Sequence, residues 1–374
     1  MNKKKVLFIA TVAGHIHTFH RPYLKWFHDQ GYEVHVACNG EFSDIHVSKV
    51  WNVDFERSPV SLSNFKSLFQ LGKIINKNEY LLISCHTPVA SVLSRLSSIT
   101  ARRNGTRLLY TAHGFHFFKG GSLWSWLTYY PVEVGLSYLT DAIICINQED
   151  FDLIREKGSS STNYYLIPGI GVDSSRFQPL SVNQKMELRD VLNVDRNNFV
   201  MVYAAEFIDR KNHKLIINAI RLLSSKIDHF IVFFAGIGAL LDELKEYVTS
   251  CGLDEHVRFL GYVTDIEKYF QISDVALSSS KQEGLGINLV EAMMCGAPVI
   301  ATVDRGHCTV VDHKVNGILF PQNDSKALAD AIFEMYKDDA LRLKMSEEAI
   351  RKASRFEVKN SLEAMSKVYL KFLD

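Results

Sequence analysis

The 374-residue sequence has no net charge: 42 Lys and Arg stand against 42 Asp and Glu. A general binder of nucleic-acid backbone carries a basic excess, so no nucleic-acid partner is expected. It also has no CxxC pair. Its six cysteines, Cys38, Cys85, Cys145, Cys251, Cys295 and Cys308, are scattered, several of them inside apolar runs. That argues against a disulfide framework or a cysteine zinc site and predicts reduced, buried thiols of a cytosolic protein. No stretch approaches the roughly 18 uninterrupted apolar residues of a spanning helix. The start, Met1-Asn2-Lys3-Lys4-Lys5 before Val6-Leu7-Phe8-Ile9-Ala10, has too short an apolar part for a signal peptide and no small-residue cleavage site. A first β-strand is expected there instead. There is no HExxH, no GxSxG, no GxGxxG and no short-period repeat. What remains is an ordinary globular composition, 47% hydrophobic and 22% charged. At roughly 150 residues per domain the length predicts two to three domains.

Short apolar runs alternate with longer helical patterns. Val6–Thr11, Glu33–Cys38, Leu81–Cys85, Leu108–Ala112, Ala142–Ile146 and Tyr164–Ile167 are apolar on both faces, as strands of a covered parallel sheet are. Pro88–Arg102 and Gln148–Lys157 have helical length and periodicity between them. The βαβα order predicts a doubly wound α/β domain over residues 1–172. A Gly- and Pro-punctuated stretch, Ile167–Asp173, and polar residues from Ser174 to Asn198 predict an interdomain linker. The alternation then restarts with Phe199–Ala205, Phe230–Ala235, Val257–Leu260, Val275–Ser279, Pro298–Ala301 and Gly317–Phe320, giving a second α/β domain over 173–355. Lys326–Tyr336, Ala340–Ser354 and Val358–Phe372 are predicted helices. Ligands of such folds sit at the carboxyl ends of the strands, so each motif should directly follow a strand.

The most informative motif does so. After Val275–Ser279 comes Glu283-Gly284-Leu285-Gly286-Ile287, then a helix bearing Glu291, then Gly296-Ala297-Pro298 leading into the next strand. Glycines there let backbone N–H groups approach a phosphate, and the helix N-terminus adds partial positive charge. A carboxylate beside them can accept hydrogen bonds from vicinal sugar hydroxyls, so two acids can hold two sugars of one ligand.

With Glu283 and Glu291 set in EGLGINLVEAMMCGAPVIA, the chain resembles the retaining GT-B glycosyltransferases of glycosyltransferase family 4. The resemblance covers nearly the whole chain. It implies two Rossmann-like doubly wound domains facing a central cleft, the first for the acceptor and the second for the nucleotide-sugar donor. It also implies a C-terminal helix, about 356–374, that packs back on the first domain. It assigns Glu283 to the donor sugar, Glu291 to the nucleotide ribose, and the backbone of Gly284, Leu285, Gly286 and Ile287 to the sugar and distal phosphate. Lys211 keeps the place of a family cation that binds the diphosphate. Glu206 stands where the family has Arg, and Arg210 is the candidate to compensate. Phe234-Ala235-Gly236-Ile237-Gly238 resembles the second glycine loop, and Tyr262-Val263 the segment whose backbone reads the base. Arg305-Gly306-His307 is a run that related polysaccharide enzymes share.

In the first domain the resemblance places His113, of Thr111-Ala112-His113-Gly114, near the donor sugar and the reacting centre. Gly14 matches a glycine that approaches the donor phosphate. His15, His86 and His116 are acceptor-side candidates; His86 is equally a loop-orienting residue. Asp150-Phe151-Asp152 is a literal DxD, but it opens a helix, where acids complement the dipole, so no metal site is expected. No cofactor is expected beside the nucleotide-sugar co-substrate. The aromatic-rich stretch from Phe117 to Pro131 fits either a packed helix or a membrane-interface contact. The run Tyr110–Gly120 narrows the resemblance to bacterial capsule, exopolysaccharide and O-antigen enzymes. The implied reaction moves a hexose or N-acetylhexosamine, from a UDP-sugar, to an undecaprenyl-diphosphate-linked saccharide. The expected location is cytoplasmic, peripheral at the inner face of the plasma membrane. An alternative on the same fold is a UDP-N-acetylhexosamine 2-epimerase. Another is a degenerate transferase serving as a partner subunit, for which Glu206 is the support.

Overall fold

A computed structural model describes residues 4–373. Met1, Asn2 and Lys3, the start of the basic N-terminal run, lie outside the described residues, as does Asp374. The chain divides into two compact units, one made of residues up to 171 together with those from 358 onward, the other of Val172–Glu357.

The first unit is built on seven strands: β1 (Lys5–Val12), β2 (Glu33–Asn39), β3 (Lys49–Asn52), β4 (Leu82–His86), β5 (Arg107–Ala112), β6 (Ala142–Cys145) and β7 (Asn163–Leu166). They form one sheet in the order β3-β2-β1-β4-β5-β6-β7, and every pair is parallel. Residues Val6–Thr11 of β1 are all buried, because helices cover both faces. The edge strand β3 was not expected from the sequence. Its KVWN run is polar at both ends and apolar only at its two central residues, since an edge strand lacks a second neighbour and need not be apolar on both faces; Lys49 lies over the Trp51 ring at 4.0 Å. The helix expected over Pro88–Arg102 is interrupted at Ser98, giving Pro88–Ser97 and Ile99–Arg103. The last helix, Val358–Leu370, packs on Arg21–Asp29, with the buried Tyr369 ring 4.7 Å from Phe27.

The second unit has six parallel strands: β8 (Phe199–Ala204), β9 (Phe230–Ala235), β10 (Val257–Gly261), β11 (Val275–Ser278), β12 (Val299–Thr302) and β13 (Gly317–Phe320), in the order β10-β9-β8-β11-β12-β13. In both sheets the order reverses beside a central strand, which opens a ligand crevice at the carboxyl ends. The expected linker over Ser174–Asn198 needs correction. It contains a helix, Val182–Val191, begun by a capping box in which Ser181 and Gln184 satisfy each other's backbone N–H groups. This helix is held by charge rather than by an apolar stripe. Buried Arg189 donates to Asp274 at 2.7 Å and to the Ile272 carbonyl at 2.9 Å, and Lys185 reaches Asp274 at 3.0 Å. Its polar composition concealed it. No helix among the described residues is long and apolar enough to cross a membrane.

Candidate active site

In the second unit the predicted donor-side residues gather where β8, β11 and β12 end. β8 runs into a turn, Asp209–Lys211, and Asn212 then adopts a left-handed conformation (φ 51°) that starts the helix His213–Leu223. The turn is tied to the end of β11. Tyr203 Oη donates to the Lys211 carbonyl at 2.9 Å, and Ser279 Oγ donates to the Lys211 and Asn212 carbonyls at 3.0 and 2.8 Å. Lys281 N donates to the Arg210 carbonyl at 2.8 Å. Two cations are thereby aimed at Glu283: Lys211 Nζ donates to its Oε1, and Arg210 Nη1 lies 3.5 Å from its Oε2. Burial pushes the Glu283 carboxyl up, but Lys211, His307 and Arg210 outweigh it and hold the group below its ordinary value, so it is ionised at neutral pH. Glu206, which replaces an expected cation, is exposed.

Glu283 is positioned from below by Asp304, which the sequence reading missed, and by the Arg305-Gly306-His307 run. Asp304 Oδ1 accepts from the backbone N–H of Glu283 at 3.1 Å and of Gly306 at 2.8 Å. It directly precedes the Arg305-Gly306-His307 run, but a lone acid there has no diagnostic spacing. Gly306 is required: a Cβ would sit 2.8 Å from both the Glu283 carbonyl oxygen and its Cβ. His307 is fully buried beneath Gly286. Its Nδ1 donates to the Thr302 carbonyl at 2.8 Å and its Nε2 accepts from Ser278 Oγ at 3.0 Å, an assignment that follows from the carbonyl partner. Burial lowers its pKa against the pull of Glu283 and Asp304. It supports the loop.

Gly286, at φ 86°, begins the helix Ile287–Met294, and no side chain caps that helix. Orphan N–H groups and the positive end of the helix dipole therefore lie beside Glu283, an arrangement suited to an anion. One helix turn on, Glu291 is partly buried, and no side chain among the described residues bonds its carboxylate. Burial raises its pKa to about 7, with Arg176 opposing and Glu267 reinforcing. Gly236 and Gly238 have φ of 150° and 157°, and a Cβ on either would strike the Ala205 or Phe207 backbone at 2.0 and 2.5 Å. These glycines bring the end of β9 against the end of β8. Tyr262, just beyond β10, is exposed.

In the first unit His113 follows β5 and His15 lies in the short helix after β1; their Nε2 atoms are 3.3 Å apart. His86 ends β4, and its ring is 5.6 Å from that of His113. Burial lowers the pKa of all three rings, that of His15 to about 4, so they are neutral at physiological pH. Asp150 of the DxD is buried and accepts from the Phe115 N–H at 3.0 Å, fixing the loop that carries His113. A Cβ on exposed Gly14 would meet nothing within 4 Å. His116 is exposed against Tyr129 and, with His15, borders a groove of about 780 Å³ whose other walls include Val60, Val89, Val92, Leu93 and Val132. The aromatic stretch becomes a helix, Leu123–Ser137. It packs Trp126 and Tyr130 on Phe117 at 5.5 and 5.4 Å and leaves Leu123, Trp124 and Leu127 62–76% exposed.

Two Rossmann-like units, each built on a parallel sheet, define the GT-B fold class. Comparison with known proteins agrees. The profile described as "Glycosyl transferases group 1" matches residues 184–352, and that described as "Glycosyl transferase 4-like" matches residues 5–147. The chain is 41% identical over 373 residues to "Putative glycosyltransferase EpsD" of Bacillus subtilis, covering 99% of this chain and 97% of that one. It is 27% identical over 287 residues to the UDP-Gal:alpha-D-GlcNAc-diphosphoundecaprenol alpha-1,3-galactosyltransferase of Escherichia coli, covering 75% and 73%. Among solved structures, Anabaena Alr3699/HepE in complex with UDP and glucose superposes with a TM-score of 0.81 at 22% identity, over 98% of this chain and all of that one. The chain belongs to the GT4-like glycosyltransferase family that includes EpsD.

Proposed function

We propose that this transferase moves a hexose or N-acetylhexosamine from a UDP-sugar to an undecaprenyl-diphosphate-linked saccharide in surface-polysaccharide assembly, with retention of configuration and without a metal or other cofactor. The observation that carries this reading is the Lys211–Glu283–Arg210 cluster at the uncapped N-terminus of Ile287–Met294. Glu283, kept ionised, accepts hydrogen bonds from donor-sugar hydroxyls. Lys211, Arg210 and the amides from Gly284 to Ile287 take the charge that develops on the diphosphate as the glycosidic bond breaks. Glu291 takes the ribose hydroxyls, with Gly236, Gly238, Tyr262 and Val263 on the nucleotide side. Both nitrogens of His307 are engaged, so in this reading a leaving phosphate oxygen takes the acceptor proton on the same face.

His113 and Gly14 serve the donor from the first unit, and His15, His86 and His116 serve the acceptor. The apolar groove beside His15 and His116 suits the hydrocarbon end of a lipid-linked acceptor. Exposed Leu123, Trp124 and Leu127 suit peripheral contact at the inner face of the plasma membrane. The E. coli relative named for a diphosphoundecaprenol acceptor and the Anabaena structure with UDP support this assignment.

The test incubates the purified chain with a panel of UDP-sugars and a short undecaprenyl-diphosphate saccharide analogue, in chelator, with mass-spectrometric and NMR analysis of products. One donor should add one sugar in its original anomeric configuration, and Glu283→Ala should abolish the gain while leaving the circular dichroism unchanged. An inverted product, or an isomerised nucleotide sugar formed without acceptor, overturns the proposal; the latter identifies an epimerase.

A further inference from the structure

Arg176 lies near the start of the second unit, in a turn that Asp173 closes: the Arg176 and Phe177 N–H groups donate to the Asp173 carbonyl at 3.2 and 3.0 Å. Phe177 is buried, its ring 6.5 Å from that of buried Phe270 in the helix Ile266–Ile272, which seats the turn against that helix. The Arg176 guanidinium then makes two different contacts. Its Nε and Nη2 donate to Glu267 Oε2 at 2.9 and 2.7 Å, and Nη2 also donates to the Thr264 carbonyl at 2.6 Å. Thr264 directly follows Tyr262-Val263. Glu267 stands on the helix that packs against Ile287–Met294, the helix of Glu291. Resting on the donor reading above, we propose that Arg176 is a positioning residue for the nucleotide, tying the base-side turn after β10 to the helix beside the ribose carboxylate.

That turn, over residues 261–264, is pinned at both ends. At its start Gly261 is left-handed at φ 68°, and its carbonyl accepts from the Gly236 N–H at 2.7 Å, which links it to the second glycine loop. At its far end Arg176 holds Thr264. The backbone of Tyr262 and Val263 is thereby set before a base arrives, so binding does not have to order it. A guanidinium suits the task because its planar fork reaches a carboxylate and a carbonyl at once, which the single ammonium of Lys does not reproduce.

The same guanidinium acts on Glu291 through its charge. Burial does most to raise the Glu291 pKa; Arg176 draws it down and Glu267 pushes it further up. Cys295, one turn along the Glu291 helix, is a neutral thiol pushed up to about 12. The Arg176 and Glu267 side chains are 44% and 20% exposed, and a pair so placed contributes little to stability. Its loss should therefore change nucleotide binding and leave the melting temperature where it is.

The experiment measures UDP affinity of the full chain by calorimetry, from about pH 6 to about pH 9, in wild type, Arg176→Gln, Arg176→Lys and Glu267→Gln. Affinity should rise with pH as Glu291 ionises; titration of UDP itself is common to all samples and cancels from the comparison. Arg176→Gln should weaken binding about 10-fold at the alkaline end, the loss of one hydrogen bond from a charged donor. It should also move the midpoint of the pH dependence upward, because a cation that favoured the carboxylate is gone. Arg176→Lys should keep the midpoint and still lose affinity, since it restores the charge without the fork. Glu267→Gln should move the midpoint downward, because an anion that opposed the carboxylate is gone. A merely structural ion pair gives similar losses in both Gln variants, a lower melting temperature and no movement of the midpoint; that result overturns the proposal, as does wild-type affinity in Arg176→Gln. A wild-type chain that binds no UDP overturns the donor reading and the role of Arg176 together, whereas wild-type binding with unshifted variants overturns the role of Arg176 alone.

Discussion

Replacing Glu291 by Gln should make the protein more stable and its nucleotide binding weaker at the same time. An ordinary glutamate ionises near 4.5 and this one at about 7, chiefly because it is buried. Ionising it in the folded chain therefore costs up to about 3 kcal/mol more than in the unfolded chain, at 1.36 kcal/mol per pH unit. Between pH 4.5 and about 7 the folded chain keeps a proton that the unfolded chain has lost. Stability consequently falls as pH rises through that window and levels off above it. Gln has the same shape and no charge, so Glu291→Gln removes this penalty. Its advantage over wild type should be small near pH 5 and grow to about 2–3 kcal/mol by pH 8. Parallel urea titrations of the two proteins across that range measure the difference directly. In the same samples UDP affinity by calorimetry should drop about 10- to 100-fold at pH 8, the loss of a hydrogen bond to a charged acceptor. A stability difference that does not change with pH refutes the burial argument. Unchanged UDP affinity refutes the ribose role, and a fall in both quantities makes Glu291 structural.

Three further outcomes follow from the same geometry. His113→Ala should lower turnover by about 100-fold or more, the range of a positioned polar group at the reacting centre, while UDP affinity changes little; normal turnover removes His113 from the site. Gly306→Ala should destabilise the second unit by about 1–3 kcal/mol and reduce donor binding through Glu283, because its Cβ meets the Glu283 backbone at 2.8 Å; chemical denaturation and UDP-sugar calorimetry check both parts, and wild-type values in both contradict the close-contact account. Trp124→Ser combined with Leu127→Ser should reduce co-sedimentation with anionic vesicles and leave the melting temperature unchanged, since both side chains are exposed; undiminished sedimentation counts against this helix as the membrane contact.

Much of the candidate site in the second unit was legible because its elements are local. A strand, a carboxylate, two glycines and a helix follow one another from Val275 to Met294, and a phosphate-ready helix end needs only that order. The positioning groups were not legible. Asp304 holds the Glu283 N–H from 21 residues away. Tyr203 in β8 and Ser279 just beyond β11 hold the Lys211 turn. Asp150, expected only as an acid at a helix start, also anchors the His113 loop.

By itself the sequence determined the two parallel α/β units, because strands covered on both faces must be apolar throughout and the intervening segments carry the helical period. It also determined that the candidate residues fall at strand ends. It could not show the polar helix Val182–Val191, the edge strand β3, the Glu291 carboxylate that no side chain among the described residues bonds, or the meeting of His15, His20 and His113. Those depend on which strands lie side by side and on what burial does to a charge or a lone pair. Only the tertiary structure decides that, since hydrogen bonds and desolvation act between residues far apart in the chain.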